Sequence, residues 1–182
     1  MRFDIKISSR ELEKKIDRII RMSPGQVEKA MLQSVIDLAG HIKSMKLSGQ
    51  VLKARTGSLR RSIGWEVKGY RGKIQGRVGT NLVYARIHEY GGEIKPRQAR
   101  FLTIPLKAVK TRAGVTRAKA RDYHNTFVRK GIIFQNRDGK IVPLFRLSKG
   151  VKIPKRPYMA PSLNEKKNDI IRRFGSAIME IR

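Results

Sequence analysis

The sequence predicts an α+β fold in which a small, twisted antiparallel sheet packs against two amphipathic helices. Three observations favour this class. Apolar residues recur every three or four positions in the N-terminal half and again near the C-terminus, a spacing typical of helices with one buried face. In the middle of the chain, apolar and polar residues alternate with a period of two, as in half-buried strands. The middle also contains a long basic stretch with neither period, which predicts an extended arm.

Capping boxes predict where three helices begin. Residues 8–11 open a first helix that ends near Met22, and residues 23–26 open a long second helix that residues 48–49 end. Residues 162–165 open the last helix, with Ser162 as its N-cap. The predicted apolar stripes are Val27, Met31, Val35, Leu38, Ile42 and Met45 in the long helix, and Leu163, Ile170, Ile171, Phe174, Ile178 and Ile181 in the last one.

The alternating segments predict two hairpins and two further strands. In the second hairpin the strands 126–135 and 140–147 flank an Asp-Gly pair, a dipeptide that favours the tight turn of a hairpin. We expect all of these strands to join one sheet. The hairpins span residues 65–78 and 126–147, and the further strands span 101–106 and 151–153.

A short capped turn is predicted over residues 55–63, between the long helix and the first hairpin. Thr56 is the expected cap, and Leu59 and Ile63 are expected to pack inward. The turn presents a cluster of basic side chains, which suits either a phosphate or the acidic residues of a neighbouring subunit. The cluster consists of Arg55, Arg60 and Arg61.

Charge is the strongest signal in the composition. The 182 residues include 42 Lys and Arg against 14 Asp and Glu, a net charge of +28. Between Ile94 and Asn164 stand 18 basic residues and only two acids, Asp122 and Asp138, so 16 of the 28 net charges lie there. A surface of this kind repels copies of itself and attracts polyanions or acidic protein faces.

The basic arm is predicted to span residues 107–150 within a single domain formed by residues 1–182. Its first part, Lys107 to Asn125, is polar and lacks a sustained period, and its second part is the predicted second hairpin. We expect the arm to project and to contact a neighbouring molecule. Its predicted assembly or anion contacts are Arg117, Lys119, Arg121, Arg129 and Lys130.

Residues with catalytic or metal-binding chemistry are scarce. Cysteine is absent, which excludes disulfides and Cys-based zinc sites. His88 and Glu89 are adjacent on a predicted helix and so point in different directions, and no second histidine follows at the spacing of a zinc helix. We therefore predict no enzyme activity, no cofactor and no metal, and no apolar stretch long enough to span a membrane.

Residues 78–92 form a corner around which the chain is organised. A strand ends, the chain turns at 79–81, and a short helix follows until Gly91 and Gly92 stop it. We interpret the side chains of Tyr84, His88 and Tyr90 as packing residues of this corner.

Three short motifs occur in a specific order along the chain. Arg55–Ile63 reads Arg-Thr-Gly-x-Leu-x-x-Ser-Ile, residues 84–92 read Tyr-Ala-x-x-His-Glu-x-Gly-Gly, and an Arg-Pro-Tyr segment precedes the last helix. In this order the motifs resemble those of the tail-completion and neck proteins of tailed bacteriophages, of the minor tail protein Z type. The resemblance assigns packing roles to the motif residues Tyr84, His88, Glu89, Tyr90, Gly91, Gly92, Arg156, Pro157 and Tyr158.

The resemblance implies a virion structural protein at the head-tail junction. Such a protein forms a ring of identical subunits that completes or joins the tail, and it contacts other neck, connector and tail proteins. It is assembled in the host cytoplasm. A ring with head-to-tail contacts requires two different complementary faces, and a basic arm on acidic residues of the next copy would suit that arrangement.

A sequence-nonspecific nucleic-acid-binding protein is the alternative function. In that case the arm and the arginine cluster contact phosphates, and affinity falls steeply with salt concentration. The two functions overlap, because a neck ring surrounds the path of the genome. Aromatic residues for base stacking are sparse in the arm, which disfavours recognition of single strands.

Overall fold

A computed structural model describes residues 2–4, 24–70, 73–116 and 118–179. The chain divides into two compact units. The terminal unit is formed by Met1–Glu89 together with Arg156–Arg182, and the inserted unit by Tyr90–Lys155. The predicted first helix, residues 8–22, and the predicted contact residue Arg117 lie outside the described residues.

Helices and small antiparallel sheets confirm the α+β class. The helices are α1 (Pro24–His41), α2 (Ser58–Ser62), α3 (Ala85–Tyr90) and α4 (Met159–Met179), and a single π-helical turn (Ile42–Lys46) extends α1. The strands are β1 (Arg2–Asp4), β2 (Gly64–Tyr70), β3 (Lys73–Gly79), β4 (Gly92–Ile94), β5 (Leu102–Pro105), β6 (Thr126–Arg129), β7 (Ile132–Arg137), β8 (Lys140–Ser148) and β9 (Val151–Ile153).

Helix α1 buries the predicted stripe from Val27 to Ile42 in the core of the terminal unit. The prediction fails at its last member, since Met45 is 52% exposed and Leu47 is buried instead. The π-helical turn explains the change: the Leu47 amide donates to the Ile42 carbonyl at 3.1 Å, five residues back rather than four. Because the turn contains one extra residue, Leu47 takes the buried position that a regular helix would give to Met45.

The predicted first hairpin is confirmed as β2 and β3, with Trp65 opposite Val78. Strand β1 pairs with the other edge of β3, so the sheet order is β1-β3-β2 and α1 packs on it. At the point of contact β3 has a glycine. A Cβ atom on Gly76 would lie 2.5 Å from both Met31 Sδ and Val35 Cγ1, so the absent side chain lets the helix lie close to the sheet.

Polar bridges join α1 to α4 across the core. The Glu165 carboxylate accepts a hydrogen bond from Lys46 at 2.6 Å and pairs with His41 at 2.7 Å. The Arg173 guanidinium pairs with Asp37 and donates to the Ser34 hydroxyl. Acidic side chains of the terminal unit are therefore paired with basic side chains of the same unit.

The prediction that Ser162 is the N-cap of α4 is wrong. The helix begins at Met159, three residues before Ser162, and the buried Ser162 hydroxyl donates back to the Tyr158 carbonyl at 2.7 Å. Because the helix starts earlier, its buried side includes Met159, Ser162, Ile170 and Ala177, and the predicted stripe residue Ile171 is exposed. The side chain of Ile178 and all of Ile181, also predicted for this stripe, are outside the described part.

The N-cap of α2 is Gly57, one position after the predicted cap Thr56. Gly57, in a left-handed conformation with φ of 69°, directly precedes the helix and offers no side chain. The Thr56 hydroxyl still accepts a hydrogen bond from the Ser58 amide at 3.3 Å. Ile63 is buried and Leu59 packs against the same core, as predicted.

The inserted unit contains two separate sheets. Strands β4 and β9 form a two-stranded sheet, and the other four strands form a sheet in the order β5-β8-β7-β6. The prediction that both hairpins join one sheet is therefore wrong. In the terminal unit both edges of β3 are occupied, by β1 and β2, so β3 has no free edge for another hairpin.

The predicted second hairpin is confirmed at its tip, where Asp138 (φ 48°) and Gly139 (φ 83°) connect β7 to β8. The predicted strand 126–135, however, is two strands. Lys130 (φ 48°) and Gly131 (φ 72°) supply two consecutive positive φ angles, which is the geometry of a tight hairpin turn, and β6 folds back on β7. In the preceding segment, the described residues 107–116 and 118–125 form no strand and only two short 3-10 turns.

Candidate functional site

The corner between β3 and α3 lies in the terminal unit and is held by hydroxyl groups. The buried Thr80 hydroxyl accepts a hydrogen bond from the Leu82 amide at 3.2 Å. It also shares a hydrogen bond of 2.7 Å with the Ser62 hydroxyl at the end of α2. The predicted short helix follows at Ala85, whose amide donates to the Leu82 carbonyl. The first two sequence motifs therefore meet at this corner.

Glu89 is the most constrained polar residue of the corner. Its side chain is 1% exposed, and its carboxylate accepts three backbone hydrogen bonds. The amides of Tyr158 and Met159 donate to Oε2 at 2.7 and 3.0 Å, and the amide of Ala160 donates to Oε1 at 3.0 Å. A carboxylate on α3 thus caps the N-terminus of α4, about seventy positions further along the chain.

This arrangement replaces the local cap that the sequence of α4 lacks. The first amides of a helix have no partner inside it, and the positive end of the helix dipole attracts an anion. The residue before the helix is Tyr158, whose side chain cannot accept from these amides in the manner of Ser or Asp. Glu89 supplies the acceptor instead, which explains why Ser162 is free to bond back to Tyr158.

A second contact fixes the third motif to the corner. The Arg156 amide donates to the His88 carbonyl at 2.8 Å. Pro157 follows and has no amide to satisfy, and the ring of Tyr158 is fully buried in the core. The His-Glu motif and the Arg-Pro-Tyr motif are therefore two halves of one structural joint, which we call the Glu89 joint (His88, Glu89 and residues 156–160).

The glycine after α3 belongs to the inserted unit and is required for two reasons. Gly91 has a φ of 71°, and a Cβ there would lie 2.9 Å from the backbone nitrogen of Lys155. Gly92 begins β4 and pairs with Ile153 of β9. The inserted unit thus begins and ends on two strands that pair with each other.

Burial changes the titration of two side chains at the joint. Desolvation lowers the pKa of His88, and the nearby positive charge of Arg156 lowers it further. His88 Nδ1 is buried and has no hydrogen-bond partner among the described residues. Desolvation also raises the pKa of the Tyr158 hydroxyl, with smaller effects from Glu89 and Tyr84. Both shifts favour the neutral forms of these side chains.

The lowered pKa of His88 predicts a loss of stability in mild acid. Unfolded chains take up a proton on histidine near pH 6.5, whereas folded His88 resists protonation until a lower pH. Its contribution is therefore complete above pH 6.5 and is lost as the pH falls through that value toward the folded pKa. Urea unfolding between pH 7.5 and 5.5 should show a smaller decline for His88→Gln than for wild type. The exposed His124→Gln is the matched control, and a wild-type decline in the His88 variant would contradict the assignment.

The other predicted site residues lie at the surface. Tyr84 and Tyr90 are about half exposed, and the ring of Tyr84 meets His88 edge-on at 6.2 Å between centroids. The predicted anion contacts are also exposed but belong to different units. Arg55, Arg60 and Arg61 lie in the terminal unit, and Lys119, Arg121, Arg129 and Lys130 lie in the inserted unit.

Sequence reasoning included Glu89 only as a packing residue and missed its role. No local pattern in the sequence indicates this role, because Ser162 and Glu165 form a capping box of their own. Only the observed start of the helix at Met159 shows that its first amides need an acceptor from elsewhere. No group of acids and histidines among the described residues is arranged to bind a metal ion. The Glu89 joint therefore has a structural role, because its one buried carboxylate accepts three hydrogen bonds as the cap of α4.

The comparison with protein families agrees with the resemblance carried by the motifs. Residues 6–91 match the family model HK97-gp10_like, described as "Bacteriophage HK97-gp10, putative tail-component". No curated protein and no solved structure matches the chain. The matched range includes the first motif and all of the second except its last glycine, Gly92. The match is consistent with the resemblance to phage tail proteins and supports a structural role in the phage tail, within the virion.

None of the described helices is long and apolar enough to cross a lipid bilayer.

Proposed function

We propose that this chain is a structural protein of the head-tail junction, where a ring of identical subunits completes or joins the tail. The observation that carries the proposal is the family match over residues 6–91, which describes a tail component. The ordered motifs support a location at the head-tail junction, because they resemble those of neck and tail-completion proteins. The Glu89 joint holds the second and third of these motifs together.

The distribution of charge supports an assembly role. The inserted unit contains 17 basic and three acidic residues, a net charge of +14, and the remaining residues account for the other half of the +28. Both units are therefore strongly positive. Isolated subunits repel one another, and this repulsion is relieved when anionic neighbours surround them. We expect the purified protein to be mainly monomeric at low salt and to assemble on a partner complex.

Most of the acids whose side chains are described are poor candidates for binding the arm of the next copy. Seven of these nine acids have partners in their own chain. They are Asp37, Glu66, Glu89, Glu93, Asp122, Glu165 and Asp169. For the arm we therefore propose contacts with a different, acidic protein of the neck or tail in place of these acids of an identical neighbour.

Disruption of the gene in the phage tests the junction role. We expect filled heads and separate, complete-length tails, and a plasmid copy of the wild-type chain should restore joined particles. Electron microscopy of lysates counts the three kinds of particle. Joined particles at the wild-type frequency without the protein would contradict the proposal. Strong binding of the purified protein to random duplex DNA, with a steep salt dependence and no effect on joining, would instead favour the nucleic-acid function.

A charge-reversal variant tests the predicted arm contacts. Arg117, Lys119 and Arg121 are replaced by Glu, and we expect incorporation into particles to fall about tenfold while the monomer stays folded, because the described members Lys119 and Arg121 are exposed. The matched control reverses Lys29, Lys53 and Lys167, three exposed basic residues of the terminal unit. Quantitative immunoblots of purified particles measure incorporation. An equal loss in both variants would mean that total charge, and not the arm, governs assembly.

A further inference from the structure

One face of the four-stranded sheet combines arginine with apolar side chains. Residues paired across antiparallel strands share a face, so Ile104, Arg146, Ile132 and Arg129 form a row across all four strands. The neighbouring row on the same face contains Phe127, Phe134 and Pro143, and Ile141 follows. We call the surface formed by Arg129, Arg146, Phe127, Phe134, Pro143 and Ile141 the Arg-Phe face.

The Arg-Phe face is open, whereas the centre of the opposite face is covered. Phe127 is 39% exposed and Ile141 is 62% exposed, and both arginines are exposed as well. On the opposite face Phe145 is buried, and Tyr123 packs edge-on against it at 5.7 Å, although Val128 in the edge strand is 61% exposed. The preceding arm segment therefore covers the opposite face at Phe145.

The composition of the Arg-Phe face is that of a protein-binding surface. The rings of Phe127 and Phe134 stack at 5.6 Å with 19° between their planes, which gives a firm apolar centre. Aromatic residues and arginine are enriched in the cores of protein interfaces and among the residues that carry binding energy. None of the four strands contains an acidic residue, so Arg129 and Arg146 have no counter-charge from these strands and are open to the carboxylates of a partner.

A second copy of this chain does not fit these requirements. Both units of the copy are strongly positive, and most of its described acids already have partners. Nucleic acid fits poorly as well. Only two cations lie on the face, and a solvated phosphate backbone offers no apolar surface that would cover Ile141, Pro143 and the phenylalanine pair. The chemistry that matches is an acidic protein surface with an apolar centre.

We propose that the Arg-Phe face is the docking surface for an acidic partner protein that is not another copy of this chain. Apolar side chains of the partner cover Phe127, Phe134 and Ile141, and its carboxylates pair with Arg129 and Arg146. The inference rests on the proposed function in that we seek the partner among the proteins of the phage particle. It adds the surface that is used and the chemistry of the protein that uses it.

Two adjacent residues of the edge strand β6 allow a matched cross-linking test. Successive side chains of a strand point to opposite faces, so Phe127 belongs to the Arg-Phe face and Val128 to the other. The photoreactive amino acid p-benzoylphenylalanine replaces either residue in phage-encoded protein, and assembled particles are irradiated. We expect an adduct from position 127, at least about fivefold stronger than from position 128, with a virion protein of net negative charge identified by mass spectrometry. An adduct with this chain itself, with DNA, or equally from both positions would overturn the inference.

Charge reversal gives a second test with its own control. Arg129→Glu with Arg146→Glu should weaken binding of the purified protein to tails isolated from the gene-disrupted phage by about tenfold or more. Arg137→Glu with Lys140→Glu makes the same change of charge on the opposite face of the same sheet, and binding should change by less than about twofold. Thermal unfolding of both variants checks that they fold. Equal weakening by the two pairs would contradict the docking surface.

These outcomes separate the two proposals. A chain that is absent from purified particles, or whose loss leaves head-tail joining intact, contradicts the proposed function. A chain that is present and required for joining, but cross-links through position 128 or to its own copies, contradicts only the Arg-Phe docking surface.

Discussion

Replacing Glu89 by alanine is expected to lower the free energy of unfolding by about 4 kcal/mol. The change removes one carboxylate and leaves three backbone amides at the start of α4 without an acceptor. Each buried amide that loses its partner costs about 1–3 kcal/mol, and the lost charge at the helix N-terminus adds to this. A loss of this size is a large fraction of the stability of an ordinary domain.

Two further variants show that the cap causes the loss. Glu89→Gln keeps one acceptor oxygen but presents an amide group to the helix amides, so we expect about half of the loss seen with alanine. Glu28→Ala removes an exposed carboxylate from α1 of the same unit and should change stability by less than about 0.5 kcal/mol. Urea unfolding gives the free energies, and hydrogen exchange at residues 158–160 reports the cap directly. If the free energy of unfolding of Glu89→Ala lies within about 1 kcal/mol of the wild-type value, water replaces the carboxylate as acceptor and the prediction is wrong.

Replacing Gly76 by valine is expected to cost about 3 kcal/mol, at the upper end of the usual cost of overpacking a core. A Cβ at this position lies 2.5 Å from Met31 Sδ and from Val35 Cγ1. The flexible Met31 side chain can turn away, but Val35 is branched at Cβ and fully buried. Helix α1 must therefore move away from the sheet, which opens the core of the terminal unit.

Gly69 supplies the matched control in the same hairpin. A Cβ on Gly69 meets no atom within 4 Å, so Gly69→Ala should be close to neutral. Met31→Ala combined with Gly76→Ala should cost less than the sum of the two single changes, since the smaller side chain removes one of the two clashing atoms. Thermal unfolding of these variants and of Met31→Ala alone measures the differences. Equal losses at Gly69 and Gly76 would show that strand propensity, and not the contact with α1, sets the cost.

Local sequence signals predicted the elements whose formation depends on near neighbours. The apolar period of α1, the hairpin from Trp65 to Val78 and the Asp138-Gly139 turn all follow from residues a few positions apart. The break at Lys130 and Gly131 was missed because Lys is an uncommon residue at positive φ, although the following glycine permits the turn.

The Glu89 joint could not be predicted from local patterns, because donor and acceptor are about seventy positions apart. The sequence around Ser162 satisfies a capping box by itself, so a local argument prefers it. Tertiary contact decides otherwise: Glu89 provides a charged acceptor in a buried setting, where hydrogen bonds to a charged group are stronger than those to a hydroxyl. The same reason limits the prediction of sheets, since the partners of each strand depend on the whole chain.

The Arg-Phe face also could not be predicted from the linear sequence. Arg129 and Arg146 appeared there among many basic residues, and Phe127 and Phe134 appeared as ordinary strand residues. Pairing of β6 with β7 and of β7 with β8 brings these side chains to one side. The total charge of the chain predicts that it binds anionic partners, but only the register of the strands indicates where.

Cryo-electron microscopy of the intact virion tests the central proposal most directly. We predict density for this chain at the junction between head and tail, as a closed ring of identical subunits in which α1 packs on the sheet of β1, β2 and β3 and α4 packs against α1. The result that would contradict the account is a joined particle whose junction lacks this chain, or one in which the chain is found only elsewhere in the tail or without ring symmetry.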